Sequence, residues 1–126
     1  MTSDSIYGEY FDIIFGYWSL RDRENILILR YEDIVWQPFQ EVHKIALFLG
    51  YSLSTEKIAT IVHNTRFQEM SKNEHINRTL ASGMHKFCRK GKVGDWKDWL
   101  TVSQNEIMDE WISNNLEEQK LAFVFE

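Results

Sequence analysis

The sequence predicts an α/β protein that is mostly helical and has one buried parallel strand. Two observations lead to this fold class. Apolar residues recur at helical spacing along most of the chain, whereas residues 26–29 form a continuous aliphatic run, Ile-Leu-Ile-Leu, that ends in polar residues. A run of this kind is typical of a strand covered on both faces, as strands in parallel sheets are.

The first predicted helix, over residues 5–22, is amphipathic. Its apolar face is formed by residues at helical spacing, namely Ile6, Tyr10, Ile13, Ile14 and Tyr17. A second helix is predicted to begin at Pro38, since proline suits the first helical turn. It is predicted to end at Gly50, because glycine readily adopts the left-handed conformation that follows many helices.

Polar residues indicate where three further helices begin. Ser54 is expected to cap one of them. Thr65 with Gln68, and Ser103 with Glu106, have the spacing of capping boxes, in which two side chains reciprocally satisfy main-chain N–H groups. The sequence is therefore dominated by helices.

The remaining segments indicate an incomplete domain. Residues 74–94 lack periodicity and contain three glycines, which predicts a long loop ordered by itself or by a ligand. Residues 121–125 suit a short strand or a docked extended tail. A parallel strand needs neighbours, and no other run in the sequence matches residues 26–29. We therefore predict that residues 1–126 are the C-terminal part of a larger α/β domain.

Composition excludes several classes of protein. The 126 residues are 44% apolar and 14% aromatic, which is typical of a packed globular protein. No apolar run approaches the roughly 20 residues of a membrane helix, and the net charge of −5 argues against nucleic-acid binding. With Cys88 as its one cysteine and no signal-peptide pattern, the protein is expected to be cytoplasmic. Its four histidines lack metal-ligand spacing, so no metal site is predicted.

A basic cluster contrasts with this acidic balance. Arg89 offers a fork of donors that suits a phosphate, and Lys90 adds a point charge. Gly91 lets its main-chain N–H approach an anion closely, while Asp95 and Trp96 are expected to cap and anchor the short helix that follows. The cluster predicts an anion site, with a solvated basic surface as the alternative.

The same residues resemble a known family. The sequence RKGKVGDWKDWLT, residues 89–101, is similar to the pattern R-K-G-x-x-G-D-W-K-x-x-F-T of the cytosolic sulfotransferases, with Leu100 in place of Phe as the one difference. Residues 28–33 resemble the family's strand leading into Y-E-D, and residues 62–70 resemble its H-T-x-F-x-x-M segment. The resemblance covers nearly the whole chain.

The resemblance implies a fold, an activity and a set of binding residues. The fold would be the C-terminal part of a P-loop-NTPase-like three-layer sulfotransferase domain. The activity would be transfer of a sulfuryl group from 3′-phosphoadenosine 5′-phosphosulfate to a hydroxyl or amine of a small acceptor. The 3′-phosphate and adenine of this donor would be held by residues that match the family's motifs, namely Arg89, Lys90, Gly91, Tyr31, Thr65, Phe67, Phe87 and Cys88.

Some of these residues also have plainer explanations. Tyr31 and Phe67 are candidates for ordinary core aromatics, and Thr65 for a helix cap. Cys88 stands where many relatives have methionine, and a small buried filler is favoured there over a reactive thiol.

A second motif of the family concerns self-association. Lys97, Thr101, Val102 and Glu106 match its short dimerisation motif, K-x-x-x-T-V-x-x-x-E, at all four fixed positions. The resemblance implies a homodimer through residues 97–106, in an isologous contact. The alternative is a helix cap and a surface lysine.

Two parts of the family's catalytic site have no counterpart in the sequence. No segment resembles its 5′-phosphosulfate loop, and no histidine present matches its catalytic histidine. The resemblance therefore implies a chain that carries no catalytic residue and is inactive alone. One alternative is a non-catalytic remnant of the fold that binds a nucleotide or a protein. Another is a phosphopeptide or RNA binder, which the net charge disfavours.

Overall fold

The computed structural model describes residues 9–73, 75 and 88–116. Its elements follow one another along the chain as α1 (Tyr10–Trp18), α2 (Tyr31–Trp36), α3 (Pro38–Phe48), α4 (Thr55–Asn64), α5 (Phe67–Met70), a 3-10 helix (Asp95–Asp98) and α6 (Val102–Leu116). None of the helices in the described ranges has the length and apolar character needed to cross a membrane.

The chain divides into two compact units. The terminal unit consists of Met1–Ile28 and Trp96–Glu126 and contains α1 and α6. The central unit, Leu29–Asp95, contains α2 to α5.

The prediction of a mostly helical chain is confirmed, but the predicted buried parallel strand is wrong for the residues described. Residues 26–30 are neither helical nor paired as a strand, and Ile28 is 39% exposed. A strand is held by hydrogen bonds to a neighbouring strand. No residue in the described ranges is in a strand, so the aliphatic run has no ladder to join. The possible strand at 121–125 lies outside the described residues.

The predicted boundaries of α3 are confirmed. Pro38 occupies its first turn. At the other end, Gly50 has a φ of 79°, Tyr51 N donates to the carbonyl of Ala46 at 2.8 Å, and Gly50 N donates to that of Leu47 at 3.0 Å. This pair of hydrogen bonds is a Schellman motif, which requires the left-handed residue that glycine supplies.

The start of α4 is also confirmed, but the cap predicted for α5 is wrong. The Ser54 side chain accepts a hydrogen bond from Lys57 N at 3.4 Å. Thr65 was predicted to cap α5, yet its hydroxyl donates to the carbonyl of Ile61 at 2.8 Å. Thr65 is the C-cap residue that follows the last residue of α4, so its side chain bonds backward into that helix, and α5 begins at Phe67.

The apolar face predicted for α1 is wrong, because the buried face lies on a different side of the helix. Phe11 is the buried residue, at 6% exposure; its ring centroid lies 5.3 Å from that of Phe15 and 4.5 Å from that of Trp111 in α6. Large aromatic rings bury more area than isoleucine, so they decide which face packs. Ile13 and Tyr17 instead line an open cavity of about 490 Å³.

The helix predicted from Ser103 exists, but its cap lies two residues earlier. Thr101 N donates to Gln104 Oε1 at 2.9 Å, and Gln104 N donates to Thr101 Oγ1 at 3.3 Å. These two bonds form the reciprocal capping box. Because α6 begins at Val102, Ser103 already lies inside its first turn and the predicted pairing with Glu106 does not cap the helix.

Candidate anion-binding site

Residues 88–95, here called the basic loop, border a cavity of about 400 Å³ in the central unit. The cavity is lined by residues from α2, α5 and the loop, namely Tyr31, Phe67, Cys88, Arg89, Lys90, Gly91, Lys92 and Asp95. The loop thus brings cations and aromatic rings to one concave surface.

Two cations of the basic loop converge on one carboxylate. Arg89 Nη1 pairs with Asp95 Oδ2, and Lys90 Nζ lies 2.6 Å from Asp95 Oδ1. The Asp95 side chain is only 7% exposed, whereas those of Arg89 and Lys90 are 58% and 42% exposed. With Lys92, the loop holds three cationic side chains against one carboxylate, a formal balance of +2. The cations are therefore fixed from the protein side and accessible from the solvent side.

Close packing requires a glycine in this loop. Gly91 has a φ of 63°, in the left-handed region that other residues rarely adopt. A Cβ built on Gly91 would lie 2.6 Å from Cγ of Phe67, which is too close for a carbon–carbon contact. The main chain of residue 91 therefore lies directly against the Phe67 ring.

Local ion pairs stabilise the short helices that carry the two aromatic residues. Arg30, just before Tyr31, donates from Nε to Asp33 Oδ2 at 2.7 Å, and this hydrogen bond raises the pKa of the Arg30 guanidinium. At the end of α5, a hydrogen bond from Lys72, two residues past the helix, to Glu69 at 2.8 Å lowers the pKa of the Glu69 carboxyl. Both pairs link residues three apart, a spacing that supports a helical turn.

The structure gathers six of the eight residues predicted to bind the donor. Those around the cavity are Tyr31, Phe67, Cys88, Arg89, Lys90 and Gly91. Thr65 is not among the lining residues, and its hydroxyl is engaged with Ile61. Phe87 lies outside the described residues.

Sequence reasoning missed two lining residues. Lys92 lines the cavity but occupies a variable position of the motif, so the motif does not identify it. Its positive charge was the only feature of the sequence that pointed to the site. Asp95 was expected to cap and orient the following helix, and its contact with both cations was not foreseen. The signal for that contact was present, because two glycines separate the cations from the carboxylate and allow the chain to reverse.

The predicted dimerisation residues do not converge in the same way. In the terminal unit, Lys97 Nζ lies 5.7 Å from the ring centroid of Trp96, and Thr101 belongs to the cap of α6. Val102 is 78% exposed, and Glu106 is also exposed. These residues form an exposed strip at the start of α6.

Comparison with known proteins decides the family. A family model described as the sulfotransferase domain matches residues 1–121. The chain belongs to the sulfotransferase family. The family predicted from the sequence is thereby confirmed.

Curated sulfotransferases align with almost the whole chain. Human sulfotransferase 1C2 is 37% identical over 127 residues, which cover 96% of this chain and 43% of that protein. Rat sulfotransferase 1A1 is 39% identical over 115 residues, covering 86% of this chain and 40% of that protein. The chain thus spans less than half the length of these relatives.

Solved structures show the same relationship. A retinol dehydratase in complex with androsterone and the inactive cofactor PAP superposes with a TM-score of 0.85 at 29% identity, over 90% of this chain and 35% of that one. Mouse sulfotransferase SULT7A1 complexed with PAP gives a TM-score of 0.77 at 28% identity, over 90% of this chain and 43% of that one. These sulfotransferase neighbours share the fold of the aligned part.

Proposed function

We propose that this chain carries the donor-binding part of a sulfotransferase that uses 3′-phosphoadenosine 5′-phosphosulfate. In this proposal, Arg89, Lys90 and the Gly91 main-chain N–H hold the 3′-phosphate. The observation that carries the proposal is the convergence of two solvent-accessible cations and two aromatic rings on one cavity.

The charge of the basic loop suits the proposed ligand. A phosphate monoester carries about −1.5 to −2 charges at pH 7, and the loop carries a formal balance of +2 after Asp95 is counted. The guanidinium of Arg89 offers paired donors for phosphate oxygens, and the Lys90 ammonium offers a point charge. The charge of the bound phosphate would therefore be about equal and opposite to the formal charge of the loop.

The rings of Tyr31 and Phe67 suit the adenine. Both residues line the cavity, at the first positions of α2 and α5. Stacking of a base on an aromatic side chain contributes about 1–3 kcal/mol in other proteins. We place Cys88, Phe87 and Thr65 near the base by family resemblance alone. The solved neighbours in complex with PAP support this choice of ligand.

Titration calorimetry with adenosine 3′,5′-bisphosphate tests the proposal. Arg89→Ala should weaken binding by about 1.5–3 kcal/mol, because a hydrogen-bonded charge pair with the phosphate is lost. Arg23→Ala removes an exposed arginine from the terminal unit and should leave binding unchanged. Equal affinity of the Arg89→Ala variant and the parent chain would refute the assignment.

We further propose that residues 1–126 are the C-terminal part of one P-loop-NTPase-like three-layer domain, and that this part alone is inactive. The supporting observation is that it aligns with about two-fifths of the relatives while no segment resembles the 5′-phosphosulfate loop. Acceleration of the transfer needs electrostatic groups around the sulfuryl centre. Sulfation of a phenol above background by the 126-residue chain would contradict this proposal.

The remaining partners are a small acceptor with a hydroxyl or amine, and a second copy of the chain. Two solved neighbours, both structures of retinol dehydratase, are complexed with androsterone and with retinol, which are small hydroxyl compounds. For the dimer, the exposed strip of Lys97, Thr101, Val102 and Glu106 supplies an apolar residue between two opposite charges, a pattern that can pair with its own symmetry copy. A cytoplasmic location is proposed from the sequence alone.

A further inference from the structure

The buried carboxylate of Asp95 makes contacts that the family motif alone did not predict. Its two oxygens engage different cations: Oδ2 pairs with Arg89 Nη1, and Oδ1 lies 2.6 Å from Lys90 Nζ. We infer that Asp95 is a positioning residue that fixes the guanidinium of Arg89 and the ammonium of Lys90 before an anion binds. This inference rests on the proposed function of the basic loop.

Two adjacent cationic side chains need a counter-charge to keep their charged groups close together. Arg89 and Lys90 are neighbours in the sequence, and like charges at short range repel each other. Both side chains are long and have many rotamers, whose freedom is lost when they bind a ligand. The Asp95 carboxylate, only 7% exposed, holds the guanidinium and the ammonium in fixed positions. Much of the loss of side-chain entropy therefore occurs before the anion binds.

The main chain of the loop makes this arrangement possible. Gly91 and Gly94 have φ values of 63° and 78°, and these left-handed residues reverse the chain between the cations and the carboxylate. Asp95 is also the first residue of the 3-10 helix, which gives the carboxylate a regular element as its support.

Substitution of Asp95 distinguishes two explanations of phosphate affinity, the fixed positions of the cations and the net charge of the loop. Asp95→Asn keeps the size of the side chain but changes the formal balance of the loop from +2 to +3. If net charge governed binding, the variant would bind phosphate more tightly. If positioning governs it, the variant binds more weakly despite the added positive charge.

The first experiment is titration of the 126-residue chain with adenosine 3′,5′-bisphosphate and with adenosine 5′-monophosphate. We expect Asp95→Asn to lose about tenfold in affinity for the bisphosphate, as for other losses of a preorganised charged contact, and to change little for the monophosphate. Asp98→Asn makes the same charge change in the same 3-10 helix, at an exposed residue that does not line the cavity, and should match the parent. Unchanged or tighter bisphosphate binding by Asp95→Asn, or equal loss for both nucleotides, would overturn the inference.

The second experiment needs neither a ligand nor a variant. Lysines of the parent chain are acylated under limiting reagent and the modified sites are quantified by mass spectrometry. Lys90 should react more slowly than Lys92, because its ammonium is held by Asp95, and Lys92 is an exposed lysine of the same loop. Equal rates would overturn the inference even where nucleotide binding is intact. A slow Lys90 together with unaffected binding by Arg89→Ala would instead refute the proposed function.

Discussion

The basic loop and the 97–106 segment match their family motifs about equally well, but they differ in the contacts that the structure describes. In the loop, Arg89 and Lys90 meet on the Asp95 carboxylate beside a cavity. In the 97–106 segment, the Thr101 hydroxyl serves the cap of α6 and Val102 stands 78% exposed. A motif for a ligand can be assembled within one compact unit, whereas a motif for self-association needs a second copy to be completed.

The strongest test of the loop's geometry compares its two left-handed glycines. Gly91→Ala and Gly94→Ala should each cost about 1–2 kcal/mol, because alanine is strained at φ values of 63° and 78°. Only Gly91→Ala adds a Cβ that overlaps the Phe67 ring, whereas nothing lies within 4 Å of the Cβ at Gly94. We expect a larger loss of stability in urea unfolding, and a larger loss of nucleotide affinity, for Gly91→Ala. Equal losses would show that Phe67 does not pack on the loop.

The next test determines whether the exposed strip forms an interface. Val102→Glu introduces a like-charged pair across a symmetric contact, and sedimentation velocity should then show a monomer at concentrations where the parent chain is dimeric. Leu47→Glu makes the same exchange at an exposed apolar residue of the central unit and should leave the dimer intact. A parent chain that is monomeric at every concentration would refute the proposed interface.

The smallest expected effect concerns the cap of α6. Thr101→Ala should destabilise the chain by about 1 kcal/mol, since it removes the side chain that accepts from Gln104 N. Ser103→Ala, two residues later, should change the free energy of unfolding by less than about 0.5 kcal/mol. The reverse ranking in urea unfolding would show that Ser103 caps the helix after all.

Several helix ends set by adjacent residues could be predicted from the sequence, although the caps of α5 and α6 were placed at the wrong residues; packing between distant residues could not be predicted. Pro38, Gly50 and Ser54 mark helix ends because their effects reach only a few residues. The buried face of α1 depends on Trp111, about one hundred residues further along the chain, so periodicity alone selected the wrong side.

The candidate site was also predicted only in part. Eight donor-binding residues were predicted by family resemblance, and the structure brings six of them together around one cavity. The bond from Thr65 to Ile61 was missed because a threonine between two helices can bond to either. The contact of Asp95 with both cations was missed because it depends on the left-handed conformation of Gly91 and Gly94, which the sequence permits but does not require.

The close approach of Gly91 to the Phe67 ring has a consequence for how the proposed site would bind the two ends of a nucleotide. In the proposed complex, the Phe67 ring would stack on the purine and would also pack against Gly91, whose main-chain N–H would hold the phosphate. Binding of the 3′-phosphate and binding of the purine should therefore be energetically coupled. A ligand with only the phosphate or only the purine should bind more weakly than the separate contributions of the two groups would suggest.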